Sequence, residues 1–387
     1  MKILIVNEFY YPYQRGGAEV STQLLAEELV NLGHQVTVCC SFSQNKIETH
    51  NGVKIHYMKV NPLYWGGNST SPSGLKKALW HIIDLCNPFI VKPFLKILEK
   101  EKPDILHTNN LSHFSTLIWF LSSLKKIPVC HTIRDYYLLC HKCTMFKNGC
   151  NCIKRCPSCK ATSFSKRYFS KYVNGVVGIS QFILDCHTSF NVFSKAKNKA
   201  VIFNPVKKTS TNTEHKVNHA IGFIGTIHPS KGIEVLIKAF AKCNLNNYQL
   251  LVAGSGDSTY IEYLKQLAGN SKVTFLGRQV ASEFYTRIDL LVVPSLWNEP
   301  FGRTVVEAQS AGIPVIASNK GGIPEILADR KSGMCFNPDI EEELTTCIQN
   351  FVNKKIQFEN NFRFENFSSP EIAQKYILFY ETIKREY

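Results

Sequence analysis

The sequence lacks several features that define other classes of protein. No apolar run approaches the about 18 residues of a transmembrane helix. The N-terminus, MKILIVNEFYYPY, has no long apolar region and no small-residue cleavage site, so a signal peptide is not expected. With 22 Gly, 16 Pro and no short repeat among 387 residues, collagen-like, low-complexity and solenoid architectures are excluded. We therefore expect a cytoplasmic, globular protein, and the length favours two domains.

Acidic residues are scarce in the first half of the chain. Residues 1–200 carry 25 Lys and Arg against 11 Asp and Glu, whereas residues 201–387 carry 20 against 19. A basic first half favours an anionic partner for that half alone, and nucleic acid, an anionic membrane surface or a pyrophosphate-bearing lipid would qualify. A basic surface that serves only solubility is the simpler alternative.

The hydrophobic pattern indicates two α/β domains in series. Residues 2–6 form an apolar run typical of a buried strand, residues 20–29 have helical spacing, and residues 35–38 form a second strand. The same alternation resumes after residues 201–220, a polar stretch typical of a linker. Doubly wound domains of this kind usually bind a ligand in a cleft at the carboxyl ends of their strands.

The most informative segment is residues 298–308, NEPFGRTVVEA, which follows a predicted strand and opens a helix. The free amides near Gly302, Arg303 and Thr304 would bind a phosphate group at the helix start. Glu299 precedes this start, and Glu307 lies one turn inside the helix. Carboxylates on both sides of an anion site suit a nucleotide sugar, which has hydroxyl groups on both sides of its diphosphate.

This segment belongs to a series of motifs that resembles the retaining GT-B glycosyltransferases of glycosyltransferase family 4. The series comprises Gly16-Gly17-Ala18-Glu19, residues 32–38, Phe223-Ile-Gly225 with Lys231-Gly232, the E-x7-E motif from Glu299 to Glu307, Gly312-Ile-Pro-Val, Gly321-Gly-Ile-Pro-Glu325 and Phe367-Ser-Ser-Pro370. Each motif alone is weak, but their order and separations extend over nearly the whole chain.

The resemblance implies a GT-B fold, in which two Rossmann-like, doubly wound domains face each other across a cleft. Residues 1–200 would bind the acceptor, residues 201–369 would bind the nucleotide sugar, and the helix 370–387 would pack back on the first domain. It also implies retention of anomeric configuration without a catalytic metal. The expected function is transfer of a hexose-type sugar to a glycan or a lipid-linked oligosaccharide in surface polysaccharide assembly, from a UDP- or GDP-sugar.

The resemblance also assigns roles to individual residues. Lys231 and Glu299 would be catalytic: the lysine would neutralise the departing diphosphate, and the glutamate would contact the transferred sugar. Glu307 would hold the ribose. The full set of implied donor-binding residues is Gly16, Gly17, Thr226, Lys231, Glu299, Gly302, Arg303, Thr304 and Glu307.

Two positions depart from the family pattern. Thr226 stands where many members have an arginine, so one diphosphate contact would be missing or supplied by Arg303 or Ser230. Arg134 stands where many have a histidine; since arginine stays protonated, it would bind an acceptor phosphate or the diphosphate rather than act as a base. His107, at the end of another predicted strand, is a second acceptor-side candidate, whereas His131 faces elsewhere if the strand alternates.

A cluster of cysteines occupies residues 140–159. Its two C-x2-C pairs, Cys140 with Cys143 and Cys156 with Cys159, are separated by twelve residues, which is close to the spacing of structural zinc sites. We predict a zinc-stapled insert beside the acceptor cleft; reduced thiols without metal, a disulfide and an iron–sulfur cluster are the alternatives.

Two basic segments contain interspersed aromatic residues and favour a peripheral site on the inner face of the cell membrane. They are residues 75–102, with Lys76, Lys77, Lys92, Lys96 and Lys100, and residues 160–172, with Lys160, Lys166, Arg167 and Lys171. Core-facing helices with a solvated lysine face are the alternative. A sugar-nucleotide epimerase or hydrolase, and a nucleic-acid-binding protein, are the rival functions; we expect no nucleic-acid partner.

Overall fold

The computed structural model describes residues 1–14, 16–59, 74, 83–209, 217–328, 332–359 and 362–387. The strands in these ranges are β1 (Lys2–Asn7), β2 (Gln35–Ser41), β3 (Lys46–His50), β4 (Val53–Met58), β5 (Ile105–Thr108), β6 (Val129–Ile133), β7 (Phe146–Lys147), β8 (Cys150–Asn151), β9 (Gly175–Gly178), β10 (Asn198–Val201), β11 (Ala220–Ile224), β12 (Gln249–Ala253), β13 (Val273–Gly277), β14 (Leu290–Val293), β15 (Val315–Ser318) and β16 (Gly333–Phe336).

The α-helices in the same ranges connect and cover these strands. They are α1 (Gly17–Asn31), α2 (Val91–Glu101), α3 (Leu117–Leu124), α4 (Pro157–Phe169), α5 (Gln181–Ser189), α6 (Ile233–Cys243), α7 (Ser258–Ala268), α8 (Ala281–Tyr285), α9 (Arg303–Ser310), α10 (Ile323–Ile326), α11 (Glu341–Val352) and α12 (Ser369–Glu386). Short 3₁₀ turns lie between some of them, including one at Pro229–Lys231.

The chain divides into two compact units, and neither is a continuous segment. The first unit comprises Met1–Met145, Ile153–Pro205 and Ser369–Tyr387, and the second comprises Phe146–Cys152 and Val206–Ser368. From the sequence, the whole insert 140–159 is predicted to lie in the first domain. The hairpin of β7 and β8 instead belongs to the second unit, because the Asn151 amide donates to the carbonyl of Leu296 at 2.7 Å and accepts from the N–H of Asn298 at 2.8 Å.

The first unit is built on a sheet with the strand order β10-β9-β6-β5-β1-β2-β4-β3, in which only the β3–β4 pair is antiparallel. Its inner strands are almost continuously apolar, as expected for a sheet covered on both faces. The helix α12 packs here: Ile372, Tyr376 and Tyr380 join one buried cluster with residues of β1, β2 and α1. A Cβ on Gly175 would lie 2.2 Å from the Ile383 side chain, so α12 approaches β9 closely.

The second unit is built on a parallel sheet with the order β13-β12-β11-β14-β15-β16. The chain moves outward from β11 to β12 and β13 on one side, and from β14 to β15 and β16 on the other. The topological switch point therefore lies between β11 and β14, and ligands of open α/β sheets bind outside the strand ends at such a point. The predicted fold class of two doubly wound α/β domains is confirmed.

Helix α2 lies within residues 75–102, the first of the two basic segments that contain aromatic residues. Its Phe94, Ile97 and Leu98 are buried, while Lys92, Lys96 and Lys100 are exposed. This arrangement agrees with the alternative interpretation, a core-facing helix with a solvated lysine face. Lys76 and Lys77 lie outside the described residues. Within the ranges given above, no helix has both the length and the apolar character needed to cross a bilayer.

Candidate active site

The loop between β14 and α9 carries Glu299 at the switch point of the second unit. The loop ends at Gly302, whose φ of +124° is unfavourable for residues with a side chain, and the helix starts at Arg303. Phe301, Val305 and Val306 are buried and anchor the start of the helix in the core. The predicted helix start is thus observed, with Thr304 at its second position.

Lys231 and Glu299 form an ion pair at this site. Lys231 Nζ lies 2.5 Å from Glu299 Oε1, and the two side chains are 26% and 12% exposed. The Ser295 hydroxyl donates to the same carboxylate oxygen at 3.0 Å. Lys231 Nζ also lies 4.9 Å from the ring centroid of Trp297. The structure therefore brings together the two residues predicted to be catalytic, although 68 positions separate them in the chain.

The backbone holds Lys231 in place through the loop that follows β14. The carbonyl of Ser230 accepts from the N–H groups of both Leu296 (2.9 Å) and Trp297 (3.1 Å). Gly232 has a φ of +69°, and a Cβ there would lie 1.9 Å from the carbonyl oxygen of Pro294. Only glycine permits this approach, so the Lys231-Gly232 pair of the sequence motif has a direct steric reason.

The Gly321-Gly322 turn supports Glu299 from the other side. The N–H of Gly322 donates to the Glu299 carbonyl at 2.7 Å. Gly321 has a φ of +65°, and a Cβ at this position would lie 2.1 Å from that same carbonyl oxygen. The sequence shows the motif, but only the structure shows that it supports the backbone of Glu299.

Glu307 lies inside α9 and is held by two partners. Arg303 Nε donates to Glu307 Oε1 at 2.6 Å, and the Tyr285 hydroxyl donates to Glu307 Oε2 at 3.3 Å. Burial, followed by the charge of Glu307, raises the pKa of Tyr285 well above its usual value. The tyrosine therefore stays protonated and remains a donor. Sequence reasoning missed Tyr285, because α8 carries no motif that marks it.

Thr226 is exposed two residues after the end of β11, which places it at the same edge of the sheet as Lys231. The turn at Gly225 packs closely against the turn at Gly254, since a Cβ on Gly254 would lie 1.8 Å from the carbonyl oxygen of Gly225.

Asn151 is a second residue that sequence reasoning missed. Its side chain bonds the backbone on both sides of Trp297, just before Glu299.

In the first unit, Gly16 and Gly17 form the exposed start of α1. The N–H of Gly16 donates to Glu19 Oε2 at 2.8 Å, which caps the helix. Burial raises the pKa of Glu19. The two glycines thus open the helix, and their contact with a donor stays a prediction.

His107 does not have the acceptor-facing position that the sequence analysis predicted. Its ring is fully buried, with Nε2 2.8 Å from the Thr132 hydroxyl and Nδ1 2.7 Å from the Tyr380 hydroxyl of α12. Burial, followed by the charge of Arg134, lowers the pKa of His107 to about 3. A neutral imidazole in the core, covered by α12, is a structural residue. His131 is likewise buried, with Nδ1 2.9 Å from the Thr108 hydroxyl.

Arg134 is 7% exposed and is held by two amide oxygens. Its Nε donates to Asn109 Oδ1 at 2.8 Å, and its Nη1 donates to Asn204 Oδ1. An acceptor phosphate or a diphosphate would have to compete with these partners or use the rest of the guanidinium. The acceptor-side role of Arg134 therefore stays a prediction.

The predicted metal ligands are only partly brought together. The groups of Cys140, His141 and Cys159 that can bind a metal lie within 4.8 Å of one another. Cys143, whose backbone φ is +58°, lies outside this group, as does Cys156. The group contains His141, which the spacing did not select, and the ligand role of Cys143 stays a prediction.

Comparison with known proteins finds a matching family model for each half of the chain. The family model described as Glycosyltransferase Family 4 matches residues 15–207, and the one described as Glycosyl transferases group 1 matches residues 207–366. The uncharacterized 42.6 kDa protein in the cps region of Klebsiella pneumoniae is 41% identical to this chain over 334 residues, which cover 84% of this chain and 87% of that protein.

Two solved structures are similar over nearly their whole length. The catalytic domain of starch synthase IV from Arabidopsis thaliana, bound to ADP and acarbose, is 15% identical with a TM-score of 0.72, covering 99% of each chain. The Anabaena protein HepE in complex with UDP-glucose is 18% identical with a TM-score of 0.62, covering 100% of this chain and 99% of that one. At these identities the likeness shows the fold, and the predicted GT-B fold is confirmed.

Proposed function

Because the chain belongs to glycosyltransferase family 4, we propose that it transfers a hexose-type sugar from a nucleoside diphosphate sugar to a glycan or lipid-linked oligosaccharide, with retention of anomeric configuration. The family makes it a glycosyltransferase; the substrates and the stereochemistry are the proposal. The observation that carries the proposal is the Lys231–Glu299 ion pair at the switch point, on the loop that leads into α9.

We assign the diphosphate to the start of α9. The N–H groups in the first turn of an α-helix have no acceptor within the helix, and the helix dipole favours a negative group there. Lys231 adds a full positive charge from the neighbouring loop. Glu307, one turn further along, is placed to accept hydrogen bonds from the ribose hydroxyls. Glu299, on the other side of the helix start, would bind the hydroxyls of the transferred sugar.

The reaction needs stabilisation of a leaving group more than it needs a strong base. The bond between the anomeric carbon and the diphosphate oxygen breaks, and its electron pair stays on the diphosphate. The acceptor hydroxyl oxygen forms the new bond on the same face, and its proton passes to the departing diphosphate oxygen. Lys231 and the helix amides oppose the growing negative charge, which is the role that a divalent metal would otherwise fill. We assign no nucleophile from the protein.

The relative in a cps region supports surface polysaccharide assembly as the setting for this transfer. The HepE structure with UDP-glucose supports a nucleoside diphosphate hexose as the donor class. We therefore propose a UDP- or GDP-sugar as donor and a growing surface glycan, free or lipid-linked, as acceptor.

Thermal unfolding in the presence of UDP, GDP, ADP, dTDP or CMP tests the donor site. A nucleotide that binds only the folded protein, at about 100 times its Kd, should raise the free energy of unfolding by about 2.7 kcal/mol. We expect this with one nucleoside diphosphate, and a smaller effect in Glu307→Gln, which loses a charged acceptor for the ribose. If no nucleotide stabilises the protein but short oligonucleotides do, the nucleic-acid alternative replaces the transferase. Donor consumption without any acceptor would indicate a hydrolase.

We further propose that α4 contacts an anionic membrane surface. Phe164 is 76% exposed and Tyr168 is 52% exposed, one turn apart on the helix, and Lys160, Arg167 and Lys171 are exposed beside them. Aromatic rings at the lipid interface and basic residues near the head groups are typical of reversible membrane binding, at about 1 kcal/mol per basic residue.

Sedimentation with lipid vesicles tests this surface. We expect the protein to pellet with phosphatidylglycerol vesicles and to stay in the supernatant with phosphatidylcholine vesicles. The double variant Phe164→Ser, Tyr168→Ser should bind the anionic vesicles more weakly, whereas Lys92→Ser on α2 should bind normally. Equal binding of the wild type and the double variant would contradict a role for α4.

A further inference from the structure

Three side chains in the first unit form a compact group of soft and borderline ligands. The atoms of Cys140, His141 and Cys159 that can bind a metal are all within 4.8 Å of one another, and His141 Nδ1 lies 3.4 Å from Cys159 Sγ. A tetrahedral zinc site, with bonds of about 2.3 Å to sulfur and about 2.0 Å to nitrogen, separates its ligand atoms by about 3.5–3.8 Å. The group needs only small side-chain adjustments to reach that geometry.

A fourth ligand would come from Cys156 at the start of α4, although its Sγ lies outside the group of three. It is the N-cap residue of this helix, three positions before Cys159, and its Sγ lies 3.2 Å from the Ser158 hydroxyl. Cysteines at the N-cap and one turn inside a helix are presented on the same side of its first turn. We propose that Cys140, His141, Cys156 and Cys159 bind one structural Zn²⁺ ion.

The surroundings suit three thiolates and one imidazole around a dication, which carry a net charge of −1. The ligands Cys156 and Cys159 lie in the first turn of α4, where the helix dipole favours negative charge. Lys154, Arg155 and Lys160 flank them in the sequence. Pro157, at the first helical position, fixes the start of the helix between the two cysteines.

The proposed ion would fasten one end of α4 to the segment that follows β6. The buried face of α4 carries Cys159, Ser163 and Lys166. At the far end of this face, Lys166 Nζ donates to the Tyr137 carbonyl at 3.1 Å and lies 3.5 Å from Asp84 Oδ2. Zinc would join the same helix to Cys140 and His141, one turn beyond Tyr137. Four protein ligands leave no open position, so the ion stabilises the unit and does not take part in sugar transfer.

Metal analysis of the full-length protein, purified without chelators, is the direct test. We expect about one zinc per chain and, after exchange, a cobalt(II) spectrum with thiolate-to-metal charge transfer. Cys159→Ser and Cys140→Ser should lose most of the metal. Cys143→Ser should keep it, as should Cys186→Ser, a matched control on α5. His141→Cys should also keep it, with a changed cobalt spectrum, because a fourth thiolate replaces the imidazole.

Several results would overturn the assignment. Zinc lost from Cys143→Ser but kept in His141→Ala would restore the ligand set predicted from spacing alone. Stoichiometric iron with visible absorption would indicate a cluster instead, and neither metal in freshly purified protein would leave reduced thiols. Circular dichroism of each variant shows whether it is folded, and the cobalt spectrum of His141→Cys tests the ligand set in a variant that conserves metal binding.

Discussion

Lys231→Met is expected to lower kcat for sugar transfer by about 100- to 1,000-fold, the usual cost of removing one group that stabilises charge in the transition state. Lys231 Nζ lies 2.5 Å from Glu299 Oε1, and Glu299 belongs to the loop that leads into α9. Its contribution grows as the diphosphate leaves, so kcat should fall far more than the affinity for the nucleoside diphosphate. The measurement is steady-state kinetics of nucleotide release, with the Kd of the nucleotide from calorimetry.

Lys238→Met is the matched control, because Lys238 lies exposed on α6 two turns beyond Lys231. It should leave kcat unchanged. Lys231→Arg keeps the charge and should restore part of the activity. A uniform loss of nucleotide affinity in Lys231→Met, with kcat preserved, would show that the lysine binds the ground state and would refute the role proposed for it.

Gly321→Ala is expected to lower kcat/KM by at least about 100-fold, although residue 321 bears no side chain that could touch a substrate. A Cβ there would lie 2.1 Å from the Glu299 carbonyl oxygen, and the loop must move to relieve this contact. Displacement of a positioning loop by about 1 Å is enough for a loss of this size. The same shift would break the bond from the Gly322 N–H to the Glu299 carbonyl.

Gly33→Ala separates this steric effect from the cost of backbone strain. Gly33 has a φ of +83°, yet an added Cβ there meets nothing within 4 Å. Both variants should lose about 1–2 kcal/mol of stability through the left-handed conformation, but only Gly321→Ala should lose activity. The two are compared by chemical denaturation and by the transfer assay. Similar kinetics for both variants would show that the Gly321 turn does not position Glu299.

The donor side of the site was largely predictable from the sequence, because its residues follow strand ends in short, glycine-bound loops. Local motifs of this kind specify backbone geometry directly: Gly232 and Gly321 are required where another backbone approaches. The motifs did not reveal the side-chain partners of Glu299 and Glu307. The ion pair between Lys231 and Glu299, and the bond from Tyr285 to Glu307, depend on which loops the sheet order makes neighbours.

His107 shows why the acceptor side was harder to predict. From the sequence it is a polar residue at the end of a strand, which is a typical active-site position. Its partner Tyr380 lies 273 residues away on α12, and no local pattern predicts that this helix covers His107. The cysteine insert was hard to read for a related reason. Spacing cannot show which side chains converge, and the structure brings His141 beside Cys140 and Cys159.

The interleaved path of the chain has a practical consequence for engineering. The two units are joined at four points, after residues 145, 152, 205 and 368. Consider a hybrid made by joining two relatives at a single point near residue 200. It would combine the β7–β8 hairpin of one relative with the 296–298 backbone of the other, to which Asn151 makes its two hydrogen bonds.

The same splice would also pack His107 of one relative against α12 of the other. A donor-specificity hybrid built from two relatives therefore needs four exchange points, with residues 146–152 inherited together with 206–368. Residues 369–387 must then come from the parent that supplies the first unit.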